Sequence, residues 1–407
     1  MNIETNPGYK LTEVGVIPDD WKIVRLAELL QEGRNVRYGV VQPGRFVSDG
    51  CFMLRSQDYS KGWSGECGMH RISRLLEAQF KNAKLNTGDI VMTVVGAGIG
   101  QVEVIPHWLE GAVLSRSTAR IAVDEHKAEK TFIKYYLESP VIIKQLRDCQ
   151  KEGAQPVVSC PDLSRFVIPC PPRPQQNAIA TVLADIDALI SGLNLQLAKK
   201  RDIKQAAMQK LLNGQQRLPG FNGEWEVKQF SDVLSRVNGK NYQIQTTDYK
   251  TYGAYPVVDQ GKDRVVAYSD SSDKLYSCPD GGVIVFGDHT CVIKYIDFDF
   301  IVGADGTQII RAKLGECTRF LAYKLELSGI TSTGYNRHFK FLKELQFSMP
   351  LLEEQIAIAA FLSDMDSELS RLETRRDKAR RLKLGIMQEL LTGRIRLSQI
   401  SQEARLC

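Results

Sequence analysis

The segment of this sequence that comes nearest to a cofactor-binding motif is Val94-Val95-Gly96-Ala97-Gly98-Ile99-Gly100. Glycine lets a backbone approach a pyrophosphate, but the dinucleotide fingerprint needs G-x-G-x-x-G at the opening of a helix. Gln101 stands where the last glycine is required, and Pro106 interrupts any helix that follows. The run therefore reads as a strand–turn–strand corner. A nucleotide- or flavin-binding enzyme built on Gly96–Gly100 is kept as the alternative function. No P-loop is present, and the single Pro-Pro pair, Cys170-Pro171-Pro172-Arg173, does not form an aminomethyltransferase tetrad. Pro279-Asp280 could begin a metal-nuclease signature, but Cys291-Val292-Ile293-Lys294 lacks the acid that must accompany the lysine. Five histidines form no HExxH, and nine cysteines form no CxxC, so reduced thiols and no metal site are expected. No catalytic residue is assigned.

Recognition needs different groups: cations for phosphates, and amides, hydroxyls or imidazoles for base edges. Loops of the first half supply Arg34, Arg37 and Tyr38, then Arg55, then Ser115, Arg116 and Ser117. Loops of the second half supply Lys240 and Tyr242, Gln260, His289 and Thr290, and, within Tyr335-Asn336-Arg337-His338, Arg337 and His338. These are the candidate DNA-binding residues. Arg371–Lys383 carries seven basic and two acidic residues. It reads as the solvated face of a helix, with DNA phosphates or a partner subunit as the sharper possibility.

The elements that hold these loops are set by a duplication. Pro171–Leu218 aligns without a gap to Pro350–Leu397 at an offset of 179, and 20 of the 48 positions are identical. A weaker echo, at an offset of 204, relates the sequence around Trp21 to that around Trp225. In the first copy Ile179, Leu183, Ile186, Ile190, Leu193 and Leu197 step by four and three residues, the seam of a coiled coil. The second copy repeats it with Ile358, Leu362, Met365, Leu369 and Leu372. The pattern slips at matched places, where the apolar position is expected to move to Ile203 and Leu382. A matched slip predicts that the two helices pack on each other. Prolines precede both helices, and Gly214 and Gly393 follow as candidate caps. A helix of about 38 residues would be a rod roughly 57 Å long.

The two dissimilar stretches, 30–165 and 235–345, carry short β-branched runs broken by glycine and asparagine. Strands are expected at Cys51–Arg55, Asp89–Val95, Gln101–Ile105 and Ala119–Val123. In the second stretch they fall at Ala254–Val258, Val265–Tyr268, Gly282–Phe286, Cys291–Ile296 and Thr307–Ala312. A late helix closes each stretch, near Glu129–Gln150 and Thr318–Ser328, which makes the class α+β. The chain has 407 residues and a formal charge of +5, which permits a nucleic-acid partner without requiring one. No uninterrupted run reaches 18 apolar residues and the N-terminus lacks an apolar core, so neither a membrane span nor a signal peptide is expected.

Together, the N-terminal GYKLTEVGVIPDDW, the doubled helix with its leading Pro171 and Pro350 and trailing Leu-Leu-x-Gly, and the intervening LPGFNGEWE resemble type I restriction–modification specificity subunits over essentially the whole length. The helix pair is the specific part of that likeness. One departure is Gln175 ahead of Gln176, where the family carries an acid, as Glu354 does ahead of Gln355. The resemblance implies two α+β target-recognition domains (1–169 and 218–348) separated by antiparallel helices (170–217 and 349–407, the latter with a C-terminal tail) in a pseudo-twofold coiled coil. It also implies double-stranded DNA as ligand, two methyltransferase subunits and two restriction subunits as partners, and one specificity chain per complex. S-adenosylmethionine, ATP and Mg are implied on the partners, which supply adenine-N6 methylation and ATP-dependent cleavage. None is implied on this chain, and the location implied is cytoplasmic.

Overall fold

The computed structural model describes residues 7–149, 156–330 and 337–397, which fall into two compact units. Unit 1 comprises Met1–Gly192 with Arg376–Cys407, and unit 2 is Leu193–Arg375. The duplicated segments are two long helices, Arg173–Leu212 and Leu352–Leu390, and each contributes to both units. Both end as the glycines predict. Gly214 and Gly393 adopt φ of +69° and +71°, and a β-carbon there would meet Trp225 at 3.4 Å and Trp21 at 3.2 Å. Those tryptophans are the ones related by the weak echo. Their indole N–H groups donate to equivalent positions, Gln175 for Trp21 and Glu354 for Trp225, so the departure at Gln175 leaves the contact intact.

Within each unit the helix segments run antiparallel. In unit 1, Ile179, Ala180 and Leu183 share a core with Met387, Leu390 and Leu391. In unit 2, Met208, Leu211 and Leu212 share one with Ile358, Ala359 and Leu362. Ile179, Leu183, Leu193, Ile358 and Leu362 are buried, while Ile186, Ile190, Met365, Leu369 and Leu372 are half-buried. Ile203 and Leu382 correct the expected course of the seam, since they are 44% and 55% exposed. The inward positions at the slip are instead Lys204 and Lys383. In unit 2, Asp366 accepts from Lys204 at 2.5 Å and from the Tyr323 hydroxyl at 2.6 Å. In unit 1, Asp187 accepts from Lys383 and from the Tyr135 hydroxyl, both at 2.8 Å. The lysine that each carboxylate binds takes the inward place expected of an apolar residue. Burial, reinforced by the neighbouring carboxylate, pushes both phenols well above their usual range.

The dissimilar stretches share one plan. In unit 1, Ile90–Thr93 pairs antiparallel with Val102–Val104 and with Thr118–Ile121. Cys51–Leu54 pairs antiparallel with His70–Ile72 and parallel with Val113–Leu114. In unit 2, Val283–Gly287 pairs antiparallel with Ile293–Ile296 and with Thr307–Ala312, which also pairs with Leu234–Val237. Tyr255–Val258 pairs antiparallel with Ala267–Ser269 and parallel with Phe300–Val302. The late helix of unit 2 is Thr318–Leu327. That of unit 1 is not one helix to Gln150 but two, Lys130–Leu137 and Pro140–Cys149, because proline cannot continue the first; Gln150 lies outside the described residues.

A buried glutamine ties each late helix to a long one. Gln176 accepts from the Glu129 amide and donates to the Pro171 carbonyl, both at 2.8 Å. Gln355 accepts from the Cys317 amide and donates to the Pro350 carbonyl, both at 2.9 Å. The first long helix contains an 18-residue window apolar enough to meet the length and composition test for a membrane span. In the fold its Ile179, Ala180 and Leu183 are core residues and Asp187 is bound by Lys383.

Two stability measurements follow. Gln176→Ala strands an amide and a carbonyl in the interior, and Gln355→Ala repeats the loss in unit 2. Each should cost about 2–4 kcal/mol in urea unfolding, and a loss below about 0.5 kcal/mol would contradict the assignment. Lys324 is 8% exposed beside the Trp225 and Phe320 rings, and burial drives its ammonium down to about 8. The unfolded chain therefore binds more protons between pH 8 and 10.5, so stability rises across that window and the full penalty persists below it. Lys324→Met should stabilise unit 2 at pH 7 by about 1–3 kcal/mol, with the gain shrinking toward pH 10.5; equal gains at both pH values in thermal melts would refute this.

Candidate nucleic-acid interface

In unit 1 the parallel strand pair ends at Leu54 and Leu114, and the chain segment Arg37–Val40 runs beside it through a bridge from Val40 to Ser115. The Gly39 amide donates to the Ser115 carbonyl at 3.1 Å and the Arg116 amide to the Val40 carbonyl at 2.8 Å. Gly39 has to be glycine, because a β-carbon would fall on the Leu114 carbonyl. This close approach sets Arg37, Tyr38 and Arg116, all exposed, on adjoining segments. Ser117 is half-buried, and its hydroxyl accepts from the Ser56 amide at 3.3 Å.

Three residues of the first set serve the fold instead. Arg34 grips the buried Asp89 through both nitrogens, at 2.8 and 2.6 Å. Arg55 is held by Asp58 at 2.7 Å and by the Gly68 carbonyl at 3.1 Å. Ser115 is buried, with its hydroxyl 2.9 Å from that of Ser117. Arg120 carries no loop signal, since it lies inside a β-strand. It is 3% exposed and donates to the carbonyls of Lys84 (2.6 Å) and Asn82 (3.1 Å), pinning that turn. Burial, then the nearby Arg34, lowers its guanidinium pKa.

Unit 2 places its candidates at the same point of the plan. Its parallel pair ends at Val258 and Val302, with Gln243 bridged to Val302 as the neighbouring segment. Lys240 is exposed, and Tyr242 is half-buried edge-on to Tyr276, with ring centres 5.1 Å apart. His289 and Thr290 occupy the turn between Val283–Gly287 and Ile293–Ile296, His289 half-buried and Thr290 exposed. Arg337 is exposed. His338 is a correction: it is fully buried, with its ring Nδ1 2.9 Å from the Asp288 carbonyl. Asp288 also accepts from the Phe339 amide at 2.8 Å, so this pair anchors the turn from behind. Gln260 is half-buried and its amide is engaged within the protein: Oε1 accepts from the His289 amide at 3.3 Å and Nε2 donates to the Asp305 carbonyl at 3.1 Å. Tyr335 and Asn336 lie outside the described residues.

The glycine run is a hairpin turn. The Thr93 amide donates to the Gln101 carbonyl at 2.9 Å, and Val102–Val104 follows as a strand where a dinucleotide site would need a helix. The enzyme reading therefore has no site there. No group of three or more His, Cys, Asp or Glu is placed to hold a metal among the described residues. Both units thus bring cations, hydroxyls and an imidazole or phenol near the ends of a parallel strand pair.

Comparison with known proteins agrees with this geometry. A family model described as the type I restriction modification DNA specificity domain matches residues 18–199 and 222–379. The type I restriction enzyme EcoBI specificity subunit of Escherichia coli is 28% identical over 227 residues, which is 55% of this chain and 46% of that relative. The MjaVIII specificity subunit of Methanocaldococcus jannaschii is 27% identical over 223 residues, 53% of this chain and 50% of that one. The chain thus spans about half the length of these two relatives. A putative MjaX specificity subunit from the same archaeon aligns over 432 residues at 23% identity, covering 96% of this chain and 97% of its own length. The solved type I restriction–modification S subunit of M. genitalium has the same fold, with a TM-score of 0.62 at 13% identity over 95% of this chain and 99% of that one. Through both halves of its length, then, this chain belongs to the family of type I restriction–modification DNA specificity domains.

Proposed function

We propose that the chain is the sequence-specificity subunit of a type I restriction–modification complex, and that each unit reads one half of an asymmetric bipartite site in double-stranded DNA. The observation that carries this reading is one fold plan used twice, with equivalent edges holding unlike side chains: Arg37, Tyr38 and Arg116 in one, Lys240, Tyr242, His289, Thr290 and Arg337 in the other. Two different readers on duplicated helices suit two different half-sites, with recognition domains 1–169 and 218–348 and helical segments 170–217 and 349–407. A helix of 40 residues is about 60 Å long, against the roughly 34–36 Å between half-sites one turn of B-DNA apart, so the helices can set the spacer.

In this reading the chain recognises and does not catalyse. Two methyltransferase subunits dock on the repeated helix surfaces, since equal surfaces accept two copies of one partner on a single asymmetric chain. They carry S-adenosylmethionine and receive the target adenine after it leaves the base stack. Two restriction subunits add ATP- and Mg-dependent cleavage, and the assembly works in the cytoplasm.

Replacing residues 30–165 with the corresponding region of another family member tests the modular claim. Methylation mapping in cells carrying the whole complex should then show one half-site changed and the other, with its spacer, retained. A change in both halves, or in neither, would refute the proposal.

A further inference from the structure

The His289–Thr290 turn of unit 2 is held by contacts from outside its own hairpin. Cys291 has φ of +58°, the one positive value outside glycine among the described residues. Such a conformation is costly for a residue with a side chain and persists only where its surroundings impose it. Here the Cys291 amide closes on the Gly287 carbonyl at 2.8 Å. The surroundings leave no slack. At Gly287 a β-carbon would overlap the Thr290 hydroxyl, and at Gly306 it would lie 2.7 Å from the Gln260 Oε1 and 2.8 Å from the His289 ring.

Gln260 stands at the centre of these contacts. Besides the two side-chain hydrogen bonds to His289 and Asp305, its backbone carbonyl accepts from the Thr290 hydroxyl at 2.5 Å, and that hydroxyl accepts from the Val292 amide at 3.3 Å. Asp305 in turn accepts from Gln243 at 3.2 Å, and the Asp288 amide donates to the Gly306 carbonyl at 2.7 Å. One side chain therefore joins the turn after Val283–Gly287 to the turn before Thr307–Ala312, at the end of the parallel pair. The equivalent join in unit 1 uses different chemistry, the Ser56 amide on the Ser117 hydroxyl.

We infer that Gln260 is a positioning residue whose side chain fixes the His289–Thr290 turn, through the His289 amide, as the element reading base edges in the half-site assigned to unit 2. This rests on the proposed function and adds to it a division of labour. Gln260 does not touch DNA; it sets the orientation of the turn that does.

The test uses the full chain reconstituted with its methyltransferase partners, on duplexes that carry the cognate site or single-base changes in either half. The region exchange described above assigns the halves to the units. Gln260→Ala should lower discrimination, measured as the ratio of methylation kcat/KM values, by about tenfold in the unit 2 half, leaving discrimination in the other half unchanged. Gln260→Glu keeps the acceptor for the His289 amide but not the donor to Asp305, and should fall between wild type and alanine. Equal losses in both halves, or no loss in either while thermal melts show unit 2 folded, would overturn the inference. If Gln260→Ala fails to fold, a Gln260→Glu variant that folds with wild-type discrimination would overturn it as well. A wild-type complex that methylates no defined site would instead overturn the functional reading beneath it.

Discussion

A half-buried carboxylate that must be shared governs both units. Asp187 and Asp366 each join a lysine of the opposing helix to a tyrosine of the late helix that backs a sheet. With either partner removed, the carboxylate loses one of its two hydrogen bonds, a cost that water moderates because the Asp366 and Asp187 side chains are 42% and 32% exposed. The seam therefore cannot stay apolar, and the helices cannot slide by a heptad without stranding these groups. Register of the helix pair and attachment of the sheet are settled by the same three side chains, and the buried glutamines Gln176 and Gln355 secure the neighbouring joint.

With attachment settled in that way, the sheet edges are free to differ. Core positions such as Ile90 and Met92, or Ile284 and Phe286, answer to packing. The segments beyond Leu54 and Leu114, or beyond Val258 and Val302, answer to whatever they touch. In unit 1 the edge carries the exposed Arg37, Tyr38 and Arg116, whereas in unit 2 the exposed Lys240 and Arg337 are accompanied by a braced turn that carries His289 and Thr290. Phosphate contacts confer affinity on any sequence, while rigidly held donors and acceptors confer discrimination. The two edges therefore differ in residue type and in bracing, which suits the proposed reading of two unlike half-sites.

Much of this was legible in the residues. The gapless repeat placed the long helices to within a few residues of Arg173–Leu212 and Leu352–Leu390 and identified both terminating glycines. Thr307–Ala312 matches its expected bounds, and Val283–Gly287 differs by one residue. What escaped was set by partners distant in sequence. Lys204 and Lys383 look like solvent-facing charges until Asp366 and Asp187, more than 150 residues away, are brought beside them. His338 and Arg34 have the side chains of a nucleic-acid surface, yet a buried aspartate claims each one. Periodicity registers apolar residues only, so polar joints at the slip read as interruptions. The shared plan of the two stretches was invisible for a similar reason: strand order depends on pairing, and pairing leaves little trace in residues that alternate only over three or four positions.

The central claim is that two unlike edges on duplicated supports read two unlike halves of one site. Single-molecule methylome sequencing of cells expressing this chain with its partner subunits examines it directly. The account predicts one asymmetric motif made of two unrelated short blocks separated by an unspecified spacer of fixed length, with a modified adenine in each block. A palindromic motif, or a continuous one without a spacer, would contradict it.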